Sequence, residues 1–286
     1  MSDFYRATQL SNNVYRITSP ENVFCELLVG EEKALLIDTG HGFGDLRGFV
    51  KKLTVKPLII VNTHGHLDHA SGNAQFDEPV YISKNDFDLC AKHTSKEFRI
   101  NAAKGAENTV DFITGGKIRG LPEDFKLQAY YSRGTGQLKP LNDGHVFDLG
   151  GITVRAIATP GHTSGCMCFH YEEMNWLYVG DQANGFCWLF LDETAGKASH
   201  LASLDKLIAL APAKVIGSHM PNPVGVEQLY LYRRAAAEAD YEKGFPFDMY
   251  AIPGVEARTC PIDGMTMADF ANPGFASVVI TSDWGK

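Results

Sequence analysis

The amino-acid sequence predicts an α/β fold in which short strands alternate with amphipathic helices. Three apolar runs rich in β-branched residues, 58–61, 152–157 and 214–218, each end directly in a polar loop. Runs this short, bounded by Gly or Pro, favour strands over helices. Two further segments, 201–210 and 226–243, carry apolar residues at helical spacing. Because strands and helices alternate along the chain, we expect the helices to cover the faces of a sheet.

Two segments share a layout of strand, acidic turn and strand. Residues 27–38 and 168–181 each contain two apolar runs joined by a turn with a pair of glutamates, and each ends in an aspartate. This pattern predicts two hairpins. The similarity of the two segments also favours two related halves that pack together.

A long excursion separates two predicted core strands, from residue 84 to residue 142. It contains a predicted helix over 85–104, followed by turns rich in glycine. A stretch of this length is more typical of a functional lid or pocket wall than of a plain loop. The tail, 244–286, is rich in Pro and Gly and contains one more predicted strand at 276–280. We therefore expect a single domain over 1–286, with an insertion at 84–142 and a C-terminal extension at 244–286.

The composition is ordinary for a globular protein, with 44% apolar and 21% charged residues. The formal net charge of −8 argues against nucleic acid or an anionic membrane as a partner, so we expect a small-molecule substrate. Met1 is not followed by a basic and then apolar leader, and no apolar run is long enough to span a bilayer, which favours a cytoplasmic protein. Six cysteines are too sparse for a disulfide framework and are expected to be reduced thiols in the core. The sequence leaves the oligomeric state open, with a homodimer among the options.

The strongest chemical signal is the segment Thr-His-Gly-His-Leu-Asp-His at residues 63–69, which directly follows a predicted strand. His64 and His66 are two residues apart, so in an extended loop both imidazoles point the same way. Asp68 and His69 are adjacent, so their side chains point apart and can serve a second ion. Imidazole and carboxylate ligands suit Zn²⁺, with iron and manganese as alternatives.

One loop cannot complete two coordination shells, so further ligands must come from elsewhere in the chain. Three candidates, His162, Asp181 and His219, each lie just beyond a predicted strand. Because ligand sites in α/β sheets gather outside the carboxyl ends of strands, we expect these residues to meet the first cluster. Weaker candidates for a substrate pocket are His41, which follows Asp38, and Asn184 and Trp188, which follow Asp181.

The order of these motifs closely resembles that of the metallo-β-lactamase-fold superfamily of metallohydrolases. The resemblance rests on HxHxDH at 64–69 and on the flanking segments Leu-Ile-Asp-Thr-Gly at 36–40, Thr-Pro-Gly-His-Thr at 159–163 and Val-Gly-Asp at 179–181. It covers about 14–221 and is specific for the superfamily, though not for a substrate. The resemblance implies a four-layer αβ/βα sandwich with two metal ions at one edge.

The resemblance also implies a role for each candidate residue. The first metal would be bound by His64, His66 and His162, and the second by Asp68, His69 and His219. Asp181 would bridge the two metals. Asp38 would support the ligands without binding a metal itself. Two cations that share a water lower its pKa from about 15.7 to about 7. We therefore expect a metal-bound hydroxide to attack a carbonyl carbon, with Asp68 orienting the hydroxide and moving its proton.

Several reactions fit such a centre, and Asp181 helps to order them. By resemblance, the commonest zinc β-lactamases have a cysteine on the second metal and no bridging Asp, so the pattern here is more similar to that of lactonases and glyoxalase II-type thioesterases. We favour hydrolysis of a carboxylic ester or lactone. A glyoxalase II-like thioesterase is the alternative, followed by a phosphodiesterase or a β-lactam hydrolase.

Two readings fall outside hydrolysis. Di-iron redox members of the superfamily carry a glutamate in the first motif, where this chain has His66. A non-catalytic metal binder would be expected to have lost ligands, whereas all seven candidate positions are filled here. Both readings are therefore less favoured than a hydrolase.

Overall fold

The structure is a computed structural model that describes residues 4–107, 116–117, 120–247, 254–270, 272 and 274–285. The chain divides into two units, Met1–Val154 and Arg155–Lys286. Within the described residues, no helix is both long enough and apolar enough to cross a membrane.

The first unit is built on a seven-stranded sheet whose strands follow one another in chain order. The strands are β1 (Arg6–Ser11), β2 (Val14–Thr18), β3 (Phe24–Val29), β4 (Ala34–Ile37), β5 (Leu58–Val61), β6 (Val80–Ser83) and β7 (Leu138–Leu141), with β8 (Val146–Asp148) after them. The helices are α1 (Leu46–Leu53), α2 (Leu67–Ala70), α3 (Phe87–His93), α4 (Lys96–Ala106) and α5 (Leu127–Tyr131). Neighbours from β1 to β4 are antiparallel, and those from β4 to β7 are parallel.

The parallel part of this sheet positions the metal-binding motif. Because β4 and β5 run in the same direction, their carboxyl ends lie at the same edge. Asp38 directly follows β4, and the loop with His64 and His66 follows β5. The four residues of β4 are all buried, as expected for a strand covered on both faces. A rigid strand pair thus fixes the start of both segments.

Among its described residues, the second unit contains strands of two sheets and two α-helices. Its elements are β9 (Thr153–Ala158), β10 (Met167–Tyr171), β11 (Trp176–Gly180), β12 (Phe186–Leu189), α6 (Lys197–Ala209), β13 (Lys214–Gly217), α7 (Val226–Glu238), β14 (Phe245–Phe247), β15 (Ala257–Pro261) and β16 (Ser277–Ile280). In one sheet β13, β11, β10 and β9 are successive neighbours, and the other sheet has the order β12-β16-β15-β14. Since β11 and β13 are parallel, Asp181 and His219 follow strands that end at the same edge.

The predicted mixed α/β class is confirmed, and so are both predicted hairpins, β3–β4 and β10–β11. All six cysteines are buried free thiols, in agreement with the expected core thiols. The predicted helix over 226–243 ends early, at Glu238, and a separate 3₁₀ turn follows at Tyr241–Lys243.

The single helix predicted over 85–104 is wrong, because two local hydrogen bonds divide it into α3 and α4. The Thr94 hydroxyl donates to the carbonyl of Cys90 at 2.7 Å and closes α3. The Ser95 hydroxyl accepts from the N–H of Phe98 at 3.5 Å and caps the start of α4. Ser and Thr side chains that bond to nearby backbone favour helix ends over helix interiors.

The predicted insertion and the predicted C-terminal extension both contribute strands to sheets. Within the predicted insertion, β7 pairs with β6, so the excursion between these two sheet strands spans residues 84–137. Within the predicted extension, β16 pairs with β12 and β15. Val278 and Ile280 of β16 pack in the main hydrophobic core of the second unit, together with residues of α6 and α7. The tail therefore completes the fold of its unit.

We predict that Ile280→Ala lowers the free energy of unfolding by about 2–5 kcal/mol, because it empties a fully buried site in a packed core. Denaturant-induced unfolding measures this change. Val55, 95% exposed, provides the control, and Val55→Ala should change stability by less than about 0.5 kcal/mol. If Ile280→Ala were as stable as that control, the tail strand would not be part of the core.

Candidate metal centre

His64 and His66 form a close pair of buried imidazoles on the loop after β5. His64 Nε2 lies 3.0 Å from His66 Nδ1. Two ligand nitrogens on a tetrahedral zinc, each about 2.0–2.1 Å from the metal, lie about 3.3 Å apart. The spacing of the two nitrogens therefore fits two ligands of one ion.

Thr63 sets the tautomer of His64. The Thr63 hydroxyl donates to Asp38 Oδ2 at 2.8 Å, so its oxygen accepts from the Nδ1–H of His64 at 3.0 Å. With the proton on Nδ1, Nε2 carries the lone pair that can bind a metal. The Thr63 hydroxyl thus links Asp38 to His64 and fixes the orientation of the His64 ring.

Asp68 and His69 lie on the short helix α2, and their side chains meet, so the expectation that they point apart is wrong. His69 Nε2 lies 3.4 Å from Asp68 Oδ2. The other ring nitrogen, Nδ1, donates to Asp38 Oδ2 at 2.9 Å, which leaves Nε2 as the nitrogen suited to bind a metal. This pair supplies one imidazole and one carboxylate.

Asp38 is fully buried and adopts the left-handed backbone conformation, with φ of +62°. Its carboxylate accepts from the backbone N–H and the hydroxyl of Thr63, each at 2.8 Å, and from His69 at 2.9 Å. A buried carboxylate is stable only when its oxygens accept several hydrogen bonds. Asp38 therefore holds both ends of the segment from Thr63 to His69.

Buried amide side chains form a hydrogen-bonded chain next to the motif, and the sequence did not predict it. Asn62 Nδ2 donates to the carbonyl of His69 at 3.0 Å, and Asn73 Nδ2 donates to Asn62 Oδ1 at 2.7 Å. The Thr39 hydroxyl in turn donates to Asn73 Oδ1 at 2.8 Å. Asn62 sits beside the motif in the sequence, but only the structure shows that Asn73 and Thr39 complete the chain.

In the second unit, Asp181 lies between two imidazoles. Asp181 Oδ2 is 3.2 Å from His219 Nε2 and 4.0 Å from His162 Nε2. Gly180, with φ of +53°, makes the turn that aims Asp181 away from the end of β11. A carboxylate has two oxygens and can bridge two ions, so this position suits a bridging ligand.

His162 is oriented by a backbone carbonyl and by a buried glutamine. Its Nδ1–H donates to the carbonyl of Trp188 at 2.7 Å, which leaves Nε2 for a metal. Its backbone N–H donates to Gln182 Oε1 at 3.1 Å, and Gln182 Nε2 donates to His200 Nδ1 at 3.1 Å. A Cβ on Gly161 would lie 2.5 Å from the side chains of both Gln182 and His200, so only glycine fits there. No sequence motif pointed to Gln182 or His200.

The three weaker pocket candidates have local contacts in the structure. Asn184 Oδ1 accepts from the N–H of Phe186 at 2.8 Å and so stabilises a turn. The ring of Trp188 packs against two aromatic rings, those of Phe190 and Phe247. The ring of His41 stacks on Phe43 at 5.2 Å between centroids. A role in substrate binding stays a prediction for all three.

The chemistry of these side chains suits a divalent metal. The His and Asp residues at the ends of β5, β11 and β13 belong to groups that can hold a metal ion. Each of His64, His69 and His162 has its second ring nitrogen bonded to an oxygen acceptor, the arrangement that metal-binding histidines usually show.

A family model described as the metallo-beta-lactamase superfamily matches residues 18–219. The chain belongs to this superfamily. The match confirms the resemblance predicted from the sequence, whereas a closer relation to lactonases or glyoxalase II-type enzymes stays a prediction.

Two curated relatives and one solved structure illustrate the similarity. The acyl-coenzyme A thioesterase MBLAC2 of Bos taurus is 23% identical over 223 residues, which cover 71% of this chain and 75% of the relative. The atrochrysone carboxyl ACP thioesterase of Aspergillus fumigatus is 47% identical over 155 residues, 53% of this chain and 27% of the relative. A metallo-beta-lactamase from Pontibacter korlensis superposes with a TM-score of 0.56 at 19% identity, covering 82% of this chain and 99% of that chain. The last similarity confirms the metallo-β-lactamase fold.

We predict that Asp38→Ala reduces the stabilisation that zinc gives to the folded chain, because His69 and Thr63 lose their shared acceptor. Loss of such a supporting contact typically weakens metal affinity by about 10- to 100-fold. The rise in Tm on adding zinc measures the effect. Asp77→Ala, which removes an exposed carboxylate, should leave that rise unchanged. An undiminished rise for Asp38→Ala would contradict the supporting role.

His200 should make stability depend on pH. Burial, with a smaller contribution from His162, lowers the pKa of His200 from 6.5 to about 3. The unfolded chain therefore binds more protons than the folded one between these values, so stability is lost as the pH falls from about 6.5 towards 3. We expect His200→Asn, which keeps an acceptor near Nδ1, to flatten this dependence. Urea unfolding of the metal-free protein at pH 6.5, 5 and 4 measures the free energy of unfolding at each pH. The exposed His145→Asn is the control. An equal change of this free energy with pH in wild type and both variants would refute the role of His200.

Proposed function

We propose that this chain is a binuclear metal-dependent hydrolase that cleaves acyl thioesters. The observation that carries the proposal is the superfamily match, because its span of 18–219 contains every candidate ligand. The proposed ligands are His64, His66, Asp68, His69, His162, Asp181 and His219. Zinc suits this set of imidazoles and carboxylates, with iron and manganese as alternatives.

The proposal assigns the ligands to two ions. The 3.0 Å spacing of the His64 and His66 nitrogens supports a shared first ion, completed by His162. Asp68 and His69 would bind the second ion together with His219. The position of Asp181 Oδ2 near the ring nitrogens of both His162 and His219 supports a bridging role. We propose that the ligands of the first ion and those of the second converge on one binuclear centre.

Two divalent cations, when bound, lower the pKa of a water molecule and polarise an acyl carbonyl. Asp68 is suited to orient the attacking water, take up its proton and pass it to the leaving sulfur. Its side chain is 27% exposed, so it lies within reach of solvent and substrate. The His219 side chain is 34% exposed, so it is also accessible to solvent and substrate. Asp38 and Trp188 keep the neighbouring imidazoles in the metal-binding tautomer.

The aromatic side chains near His162 favour a substrate with an apolar acyl group. The carbonyl of Trp188 accepts from His162, and the Trp188 ring lies 5.6 Å from the rings of both Phe190 and Phe247. Phe186 extends this aromatic cluster along β12, at 5.7 Å from Phe247. Such rings favour contact with apolar surface. The aromatic cluster therefore suits the acyl part of a substrate whose carbonyl lies near His162.

The thioester preference is supported by the relatives. Both curated relatives described above are named thioesterases, one for acyl-coenzyme A and one for a carrier-protein substrate. Hydrolysis of a carboxylic ester or lactone, favoured by the sequence, is the second candidate, because a centre with a bridging aspartate serves either leaving group. Neither of these relatives is named as a phosphodiesterase.

A substrate panel with zinc-loaded protein tests the proposal. We expect release of free thiol from acyl-coenzyme A thioesters, with kcat/KM at least about tenfold above that for matched oxygen esters and lactones. Longer acyl chains should be preferred over acetyl. Higher activity on lactones than on thioesters would favour the second candidate.

We predict that His64→Ala reduces turnover to background while circular dichroism shows the fold retained, because the first ion loses a ligand. The exposed His145→Ala serves as the matched control and should keep full activity. The metal requirement would be refuted if metal-free wild type, verified by elemental analysis, hydrolysed substrate as fast as the loaded protein.

A further inference from the structure

The segment from Asp86 to Arg99, which includes α3 and the start of α4, touches the metal-binding motif at several points. The first contact is a hydrogen bond from the backbone N–H of Gly65 to Asp86 Oδ2, at 2.9 Å. Gly65 separates His64 from His66 in the sequence, and both Gly65 and Asp86 are buried. The carboxylate therefore holds the backbone at the centre of the histidine pair.

Asp86 occupies the position of an N-cap but does not act as one. An aspartate just before a helix usually accepts from the N–H groups of the first turn. The side chain of Asp86 makes no such bond with α3. Burial of a carboxylate is costly without hydrogen bonds to the charge. Here the carboxylate takes a bond from the metal-binding loop instead of one from its own helix.

Gly65 packs against the backbone of α3 and leaves no room for a side chain. A Cβ at this position would lie 2.8 Å from the backbone nitrogen of Cys90 and 2.9 Å from the carbonyl oxygen of Asp86. These neighbours are backbone atoms, which cannot move aside as a flexible side chain can. Any larger residue would separate α3 from the motif.

Two further contacts involve residues that follow Gly65 in the chain. The ring of His93 stacks on that of His66, with centroids 4.8 Å apart and an angle of 26°. The buried guanidinium of Arg99 donates to the carbonyl of Ser71, just after α2, at 3.1 Å. Arg99 also donates to the carbonyls of Thr94 and Gly134 at 2.9 and 3.1 Å, which fixes its own position.

We propose that Asp86 is a positioning residue for the metal centre, and that the segment 86–99 holds the motif in the conformation that binds metal. Asp38 holds Thr63 and His69, whereas Asp86 holds Gly65 between the two histidines of the first ion. This inference rests on the metal centre of the proposed function. It assigns a structural task to a segment that the sequence suggested only as a pocket wall.

The physical reason is preorganisation of the loop. Without the Asp86 carboxylate, the buried N–H of Gly65 loses its acceptor, and the loop gains backbone conformations in which His64 and His66 are not side by side. Each such conformation must be given up again when metal binds. Metal affinity therefore falls, even in a chain that folds.

Zinc affinity, measured by competition with a chromophoric chelator, tests this role without any substrate. We expect Asp86→Ala to weaken zinc binding by about 10- to 100-fold. Asp86→Asn keeps an oxygen acceptor and should stay within a few-fold of wild type, because a neutral acceptor is weaker than a charged one but still present. Asp88→Ala, an exposed carboxylate on the same helix, is the matched control and should bind zinc normally. Urea unfolding in EDTA shows whether each variant is folded without metal.

Either of two results would overturn the positioning role. One is wild-type zinc affinity in Asp86→Ala, and the other is an equal loss in the Asn and Ala variants, since the retained acceptor would then not matter. A wild-type chain that binds no zinc would instead overturn the proposed function, and this inference with it. Normal zinc binding in wild type with no thioester hydrolysis would leave the role of Asp86 standing and remove only the proposed substrate.

Discussion

The metal-binding loop depends on the buried carboxylate of Asp38. Three donors from Thr63 and His69 share its two oxygens, all within 2.9 Å. Burial of this charge would be unfavourable without them, so the carboxylate and the loop stabilise each other. The same bonds decide which nitrogen of His64 and of His69 carries a proton. Loop shape and ligand chemistry are therefore fixed by one side chain at the end of β4.

Each unit uses the same strand arrangement to place side chains of the candidate metal centre. A hairpin ends in an aspartate, and a parallel neighbour of its second strand ends beside it. In the first unit this brings Asp38 next to the loop after β5. In the second it brings Asp181 within 3.2 Å of His219. Strand direction alone accounts for much of the geometry, because side chains beyond the ends of parallel strands share one edge.

The sequence predicted the fold class, the strands β5 and β13 and the superfamily, because these follow from short-range pattern and motif spacing. It failed where the outcome depends on distant contacts or on backbone atoms. The break at Thr94 comes from a hydroxyl that prefers the Cys90 carbonyl. The support of His162 comes from a main-chain carbonyl, which no residue type identifies. Asp86 looked like part of an ordinary helix start, and only the structure shows its bond to Gly65.

The way in which His162 is held has a consequence for how the sequence of this chain can change. Residue 188 contributes its main-chain carbonyl to the imidazole, and its side chain to a separate aromatic cluster. The carbonyl is kept in place by β12, in which Trp188 pairs with Val279 of the last strand. Every amino acid has that carbonyl, so a substitution at 188 can reshape the aromatic cluster while the orientation of His162 is conserved. Under the proposed function, a change in acyl selectivity at residue 188 would therefore leave the support of His162 intact.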